Sequence, residues 1–242
     1  MSRKTKRNQN TERPGHPAQE TPSANGRGTR NVVIGTIAVM LLAVGAWVLL
    51  HKGENSESAG LAGTPRGAAL ASEHAPTLGE ASARVHIVEF LDPACETCAA
   101  FFPIAKQYMA ENPGKIRLSV RHVAFHDGSE FAVRVLEASR KQDRYWQTLE
   151  ALLASQHRWA PNHVAQPDLI VGSIAGVGLN IDQLMADINA PDVTQRIQQD
   201  LSDAMALKVT ATPEYFVNGR PMPSFGEQQL RTLINDALAD AY

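Results

Sequence analysis

The stretch HIVEFLDPACETCAAFFP, residues 86–103, decides the fold of this 242-residue chain. Its first half is a short apolar run of the kind that forms a buried strand, and a turn at Asp92 and Pro93 ends that run. The only two cysteines of the chain, Cys95 and Cys98, come next, where apolar residues begin to follow helical spacing. The stretch therefore predicts a strand that leads directly into a helix, with both thiols at the junction.

Cys95 and Cys98 are spaced for reversible disulfide chemistry. Residues three apart on a helix lie about 5–6 Å from each other, close to the separation that a disulfide requires. Backbone N–H groups at a helix start favour negative charge, so Cys95 is the predicted nucleophile and Cys98, one turn further in, the predicted resolving thiol. Two cysteines fall short of a zinc site or a disulfide framework, which leaves a short structural disulfide as the alternative interpretation.

Working outward from the cysteines, the chain predicts an α/β fold in two parts separated by helices. The predicted elements are a strand at 84–91, a helix from the cysteines to 112–114, a strand at 115–125, helices throughout 129–207, strands at 214–217 and 221–222, and a final helix with an apolar stripe at Leu230, Leu233, Ile234, Ala237 and Leu238. Asn218–Gly219 is a strong hairpin signal between the last two strands. The first two strands are expected to be parallel, because the connection between them is a helix.

Three segments together resemble the DsbA-like branch of the thioredoxin superfamily. They are the stretch at 86–103, QDRYW at 142–146 and VTATPEYFVNG at 209–219, and the resemblance covers about residues 80–242. It implies a thioredoxin fold, β-α-β followed by β-β-α, with a helical insertion between the two halves. The combination is more specific than Cys-X-X-Cys alone, since it includes Pro103 five residues after Cys98 and a Thr-Pro pair before a strand.

The resemblance assigns a role to each matching residue. Cys95 corresponds to the attacking cysteine of the family and Cys98 to its resolving partner. Pro213, preceded by Thr212, corresponds to a cis-proline beside the active site, where the backbone of Thr212 would pair with a substrate peptide. Glu89 corresponds to a buried acid beneath the cysteines, which would move the proton of Cys98.

The residues between the cysteines depart from the most oxidising family members. Glu96 and Thr97 stand where those members carry Pro-His, and a Glu opposes a nearby thiolate that a His would stabilise. We therefore interpret Glu96 and Thr97 as redox-tuning residues and predict a weaker oxidant than those members. The sequence also lacks a proline that many relatives carry after the second strand.

The residues before the fold predict attachment to a membrane. Residues 1–30 contain seven Lys and Arg against two Glu and predict a basic cytoplasmic tail, not a nucleic-acid-binding face. Residues 31–51 include a 19-residue run without charge, long enough for one transmembrane signal anchor. Residues 52–78, rich in Gly, Ala and Ser, predict a flexible linker, and residues 79–242 the folded domain.

The sequence thus predicts an extracytoplasmic protein thiol-disulfide oxidoreductase in the inner membrane of a bacterium. Its expected partners are exported proteins and either a DsbB-like quinone-linked membrane protein or a transmembrane electron donor. No metal or organic cofactor is expected, since the histidines lack ligand spacing. A dedicated reductase for cytochrome maturation or metal resistance stays open, as does a non-catalytic membrane-tethered binding module or chaperone. An isomerase is disfavoured because 52–78 shows no amphipathic dimerisation pattern.

Overall fold

The computed structural model describes residues 65–70 and 73–242. The predicted basic tail at 1–30 and membrane segment at 31–51 lie outside these residues. Within the described ranges, every helix is too short or too polar to cross a membrane.

A mixed five-stranded sheet forms the centre of the fold. Its strands are β1 (Thr77–Leu78), β2 (Val85–Leu91), β3 (Ile116–His122), β4 (Glu214–Val217) and β5 (Arg220–Pro221), in the spatial order β1-β3-β2-β4-β5. The central strand β2 pairs in parallel with β3 and antiparallel with β4. The predicted β-α-β unit and terminal hairpin are therefore present. The pairing of β2 with β4 places the hairpin beside the β-α-β unit in the sheet.

Helices cover both faces of this sheet. They are α1 (Pro65–Leu70), α2 (Glu96–Glu111), α3 (Ser129–Ser139), α4 (Tyr145–Ala154), α5 (Gln156–Trp159), α6 (Pro167–Ser173), α7 (Ile181–Asp187), α8 (Pro191–Leu207) and α9 (Glu227–Ala241). Helices α3 to α8 lie between β3 and β4 and form the predicted helical insertion. The described chain thus has a thioredoxin-like α/β fold.

Strand β2 is buried on both faces, which explains its nearly continuous apolar sequence. Its residues Val85, Ile87 and Leu91 belong to the core formed with α2, α9 and most of the insertion. Val88 and Phe90 point to the opposite face and pack in a smaller cluster with residues of α1, α8 and β4. Because side chains alternate along a strand, Glu89 shares the face of Ile87 and Leu91.

The end of the predicted linker at 52–78 differs from the expectation. Two regular elements, α1 and β1, lie within it. Strand β1 pairs with β3, and the Thr77 and Ser119 hydroxyls are 2.6 Å apart. The carbonyl of Ala69 in α1 accepts a hydrogen bond from Nη1 of buried Arg121 at 2.7 Å. These are contacts with residues distant in the sequence. The segment shows no regular spacing of apolar residues, so its structure depends on packing against the rest of the domain.

Candidate active site

A short turn connects β2 to α2 and presents Cys95. The N–H of Cys95 donates to the Asp92 carbonyl at 3.0 Å, and the N–H of Ala94 donates to Oδ1 of Asp92 at 2.8 Å. Cys95 is the N-cap of α2 and has an extended backbone, with φ −78° and ψ 115°. Its Sγ accepts the N–H of Cys98 at 3.4 Å. The sulfur therefore acts as the N-cap acceptor of α2, at the helix start, where the first backbone N–H groups have no acceptor within the helix.

The second half of the chain completes the site from the neighbouring strand. The peptide bond between Thr212 and Pro213 is cis and immediately precedes β4. The thiol of Cys95 donates to the Thr212 carbonyl at 3.3 Å, although the two residues are 117 positions apart. The pairing of β2 with β4 thus brings together the cysteine turn and the Thr-Pro pair, which lie far apart in the sequence.

Cys95 is an acidic thiol in this environment. The adjacent Cys98 thiol lowers the pKa of Cys95 most, and the Thr212 side chain and the N–H groups of Cys98 and Thr97 lower it further. Burial acts in the opposite direction, and the balance brings the pKa of Cys95 to about 5. Cys95 is therefore largely a thiolate at neutral pH, which is the nucleophilic form.

Cys98 has the opposite tendency. It is completely buried, and burial raises the pKa of Cys98 well above its usual range, as do the negative charges of Cys95 and Glu89. Both cysteines are present as free thiols. The pKa of Cys95 is thus lowered and that of the shielded Cys98 raised, and the assignment of attacking and resolving roles to them stays a prediction.

Glu89 lies fully buried on β2, directly opposite Tyr215 of β4. Burial raises the pKa of Glu89 to about 8, the nearby Tyr215 hydroxyl partly opposes this, and the charge of Cys95 adds to it. Neither carboxyl oxygen completes a hydrogen bond with any other described residue, and the same holds for the Tyr215 hydroxyl. Glu89 is thus a largely protonated acid at neutral pH, electrostatically coupled to both thiols.

The two residues between the cysteines contribute differently. Glu96 is exposed in the first turn of α2, where water screens its charge from the Cys95 sulfur. Thr97 acts through its backbone N–H, one of the groups that lower the pKa of Cys95.

Two residues of the site were not predicted from the sequence. The buried side chain of Gln156 donates from Nε2 to the carbonyls of Pro93 and Cys95, at 2.7 and 2.9 Å. The buried carboxylate of Asp92 accepts the N–H groups of Phe125 and His126, at 2.7 and 2.8 Å. An Asp before a proline is a recognisable turn signal, whereas nothing in the local pattern around Gln156 indicates its target.

Metal-ligating side chains are dispersed over the part of the chain that the structure describes. Within residues 65–70 and 73–242, no group of three or more His, Cys, Asp or Glu is arranged so that it could hold a metal ion. The chemistry that the site itself presents is that of its two sulfur atoms and one carboxyl group.

Comparison with known proteins places this geometry in a family. A family model described as thioredoxin matches residues 71–236. A thioredoxin-like oxidoreductase from Silicibacter pomeroyi DSS-3 superposes with a TM-score of 0.61 at 28% identity, over 70% of this chain and 96% of that one. Disulfide bond formation protein D of Bacillus subtilis is 28% identical over 63% of this chain and 71% of its own.

A further relative is much longer than this chain. The Na(+)/H(+) antiporter NhaA of Herminiimonas arsenicoxydans is 29% identical over 66% of this chain, and the match spans only 25% of the antiporter. The transport activity that its name states is a property of that protein. The fold, the cysteine pair and the match over residues 71–236 together mean that this chain belongs to the thioredoxin family.

Proposed function

We propose that the protein exchanges disulfides with exported proteins outside the cytoplasm, through the Cys95-Glu96-Thr97-Cys98 site. The observation that carries this proposal is the contrast between the two sulfurs, because the pKa of Cys95 is lowered to about 5 while burial raises that of Cys98. A structural disulfide would need no such contrast. Thiol-disulfide exchange requires this contrast in pKa. The attacking sulfur must be a thiolate, and the resolving sulfur must stay protonated until the mixed disulfide has formed.

The exchange runs through a mixed disulfide. In the oxidising direction a substrate thiolate attacks Sγ of Cys95 in the Cys95–Cys98 disulfide, the S–S bond breaks, and Cys98 leaves and takes up a proton. A second substrate thiolate then attacks the substrate sulfur of the mixed disulfide and releases Cys95 as a thiolate. The substrate gains a disulfide, and the protein gains two electrons and is left with two reduced cysteines.

Glu89 is the proposed proton carrier for Cys98. The resolving thiol must gain or lose a proton in each cycle, and its raised pKa makes the loss difficult without a base. A carboxyl group with a pKa of about 8 can both give and accept a proton near neutral pH. Its electrostatic coupling to Cys95 and Cys98 supports this assignment.

Thr212 and Pro213 are the proposed peptide-binding residues. Their backbone adjoins the attacking sulfur and precedes β4, so an extended substrate segment can add to it by main-chain hydrogen bonds. Such binding depends little on substrate side chains, which suits a protein that acts on many exported chains.

Residues 31–51 are proposed as a membrane anchor that holds the domain on the outer side of the inner membrane. The proposed electron acceptor in the oxidising direction is a DsbB-like quinone-linked membrane protein. A transmembrane electron donor would take its place if the net direction is reduction.

The test is the equilibrium of the Cys95/Cys98 pair with glutathione, followed by trapping of substrates with Cys98→Ala. We expect a pair more oxidising than the glutathione pool yet less oxidising than the strongest family members, because Thr97 stands where those members carry a His that stabilises the thiolate. Mixed disulfides with exported proteins should accumulate on the Cys98→Ala variant. A potential below that of the pool would assign a reductase, and a Cys95→Ser variant that retains function in cells would refute catalysis.

A further inference from the structure

Gln156 connects the helical insertion to the cysteine turn. It is the first residue of α5, and the residue is 5% exposed. The single amide nitrogen Nε2 donates to the carbonyl of Pro93 at 2.7 Å and to that of Cys95 at 2.9 Å. Both hydrogens of the amide are thus used on the backbone of the turn that carries the attacking sulfur.

The position of these two carbonyls determines where Sγ of Cys95 lies. The carbonyl of Cys95 also accepts the N–H of Ala99 at 3.2 Å, so it is part of the first turn of α2. Fixing the backbone on either side of Ala94 fixes the Cα–Cβ direction of Cys95. That direction sets the contacts of Sγ with the Cys98 N–H at 3.4 Å and the Thr212 carbonyl at 3.3 Å.

The helix that carries Gln156 is itself held in place. Its indole-bearing residue Trp159 is fully buried and donates from Nε1 to the Leu152 carbonyl at 2.9 Å. The Trp159 carbonyl accepts the N–H of Gln166 at 2.6 Å. Because Trp159 holds the C-terminal end of α5 in place, the Gln156 amide at the other end of this helix has a fixed position.

We propose that Gln156 is a positioning residue, through which the helical insertion holds the Cys95 sulfur against the N–H of Cys98 and the carbonyl of Thr212. The hydrogen bonds to the Pro93 and Cys95 carbonyls both go to the backbone of the turn, so Gln156 acts on the sulfur through that backbone. The inference rests on the proposed thiol exchange at Cys95 and adds to it the part of the molecule that sets the geometry of that thiol.

The test compares the pH dependence of Cys95 alkylation by iodoacetamide in the reduced full-length protein and its variants, with mass spectrometry to identify the modified thiol. Gln156→Met keeps the length and bulk of the side chain and removes the donors. Gln156→Glu keeps the length and replaces the donors with acceptors. Leu149→Ala, in the buried core of the insertion, is the control for general loosening.

Gln156→Met should move the alkylation midpoint upward by about half a unit to one unit, or about three- to tenfold slower reaction at low pH. Gln156→Glu should move it further, because a negative group would face two carbonyl oxygens. Leu149→Ala should lower the melting temperature and leave the midpoint unchanged. The Glu variant carries the comparison if the Met variant does not fold.

The proposal is overturned if Gln156→Met and Gln156→Glu titrate like the unmodified protein, or if Leu149→Ala shifts the midpoint by as much. Failure of the proposed function would look different. In that case the unmodified protein itself would show no disulfide exchange with exported proteins, whatever the effect of Gln156 on its thiol.

Discussion

At the scale of single residues, Cys95 and Glu89 contribute to the stability of the fold with opposite dependences on pH. Folding lowers the pKa of Cys95 from 9.0 to about 5, so the native state favours its charged form. Folding raises the pKa of Glu89 from 4.5 to about 8, so the native state favours its neutral form. In the reduced protein these two contributions to the free energy of unfolding change in opposite directions over the same pH range. Substitution of one residue should therefore expose the pH dependence due to the other.

In reduced Glu89→Gln, we expect the free energy of unfolding to rise with pH. The contribution of the Cys95 thiolate is complete above pH 9, decreases as the pH falls, and is lost below about pH 5. The slope is at most about 1.4 kcal/mol per pH unit, the value for one proton. Urea unfolding of the reduced variant from pH 4 to 9 measures it, and a flat profile would contradict the assigned thiolate.

In Cys95→Ser, we expect the reverse slope. The neutral Glu89 carboxyl favours the native state fully below pH 4.5, and this contribution is lost as the pH rises through about 8. The same urea series should therefore show stability falling between these limits. A Cys95→Ser protein whose stability does not change over that range would contradict a buried acid at Glu89.

Glu89→Gln should also slow the release of a substrate from its mixed disulfide. Without a carboxyl to accept the Cys98 proton, resolution at pH 7 should fall by about 100-fold, the lower end of general acid-base effects. Stopped-flow release of a fluorescent thiol from Cys95 measures this step. Glu214→Gln is the matched control, since Glu214 also has a raised pKa but lies partly exposed at the edge of the site, and it should leave resolution unchanged.

At the scale of elements, a buried ion-pair group joins β3 to α8 and α1. The Arg121 side chain is fully buried and donates to Asp200 and Asp203 of α8 at 2.5 Å each. Oδ2 of Asp200 also accepts the backbone N–H of His122 at 2.8 Å. Arg121 thus pairs with both carboxylates, and its removal would take a buried cation away from each of them, although the His74 imidazole also lies 2.6 Å from Asp200 and the Gln199 amide donates to Asp203 at 2.9 Å.

Arg121→Met should therefore lower the free energy of unfolding by about 3–5 kcal/mol. The exposed Arg231, which pairs with Glu227 one helical turn away, is the matched control. Arg231→Met should cost about 0.5 kcal/mol or less, because water screens an exposed pair. Equilibrium unfolding in urea compares the two, and equal losses would show that burial of the Arg121 group does not determine its effect.

The elements of the chain were predictable where their own sequence determines them. The apolar run of β2, the cysteine start of α2 and the hairpin at Asn218–Gly219 are local signals, and the left-handed backbone of Asn218 and Gly219 fits them. The end of β3 was predicted at residue 125 but lies at His122. The N–H groups of Phe125 and His126 donate to the Asp92 carboxylate instead. They are therefore not available for hydrogen bonds to a neighbouring strand.

At the scale of the whole molecule, the ordered domain begins earlier than its composition suggests. A fragment of residues 65–242 should be more stable than one of residues 79–242, which lacks α1 and β1. The shorter fragment leaves Nη1 of Arg121 without the Ala69 carbonyl, a loss of about 1–3 kcal/mol for a buried donor. Melting temperatures of both fragments check this, and a fragment of residues 75–242 separates the contribution of α1 from that of β1.

The parts of the site that escaped prediction are those formed by long-range contacts. The cysteines follow from their spacing, whereas Glu89 and the Thr212–Pro213 pair follow from the resemblance to a known family. The structure brings these residues together where β2 pairs with β4. Gln156 is one polar residue among many in a helical stretch. Only the packing of the insertion decides that its amide faces the carbonyls of Pro93 and Cys95.

The contact between Cys95 and Thr212 has a consequence for the order of synthesis. Because the two residues are 117 positions apart, both cysteines leave the ribosome long before the carbonyl that Cys95 contacts has been made. Contacts of such separation form late in folding. The newborn chain therefore carries both cysteines before the residues that complete their site exist, and Cys95 gains its contact with Thr212 only after β4 has been made and has paired with β2.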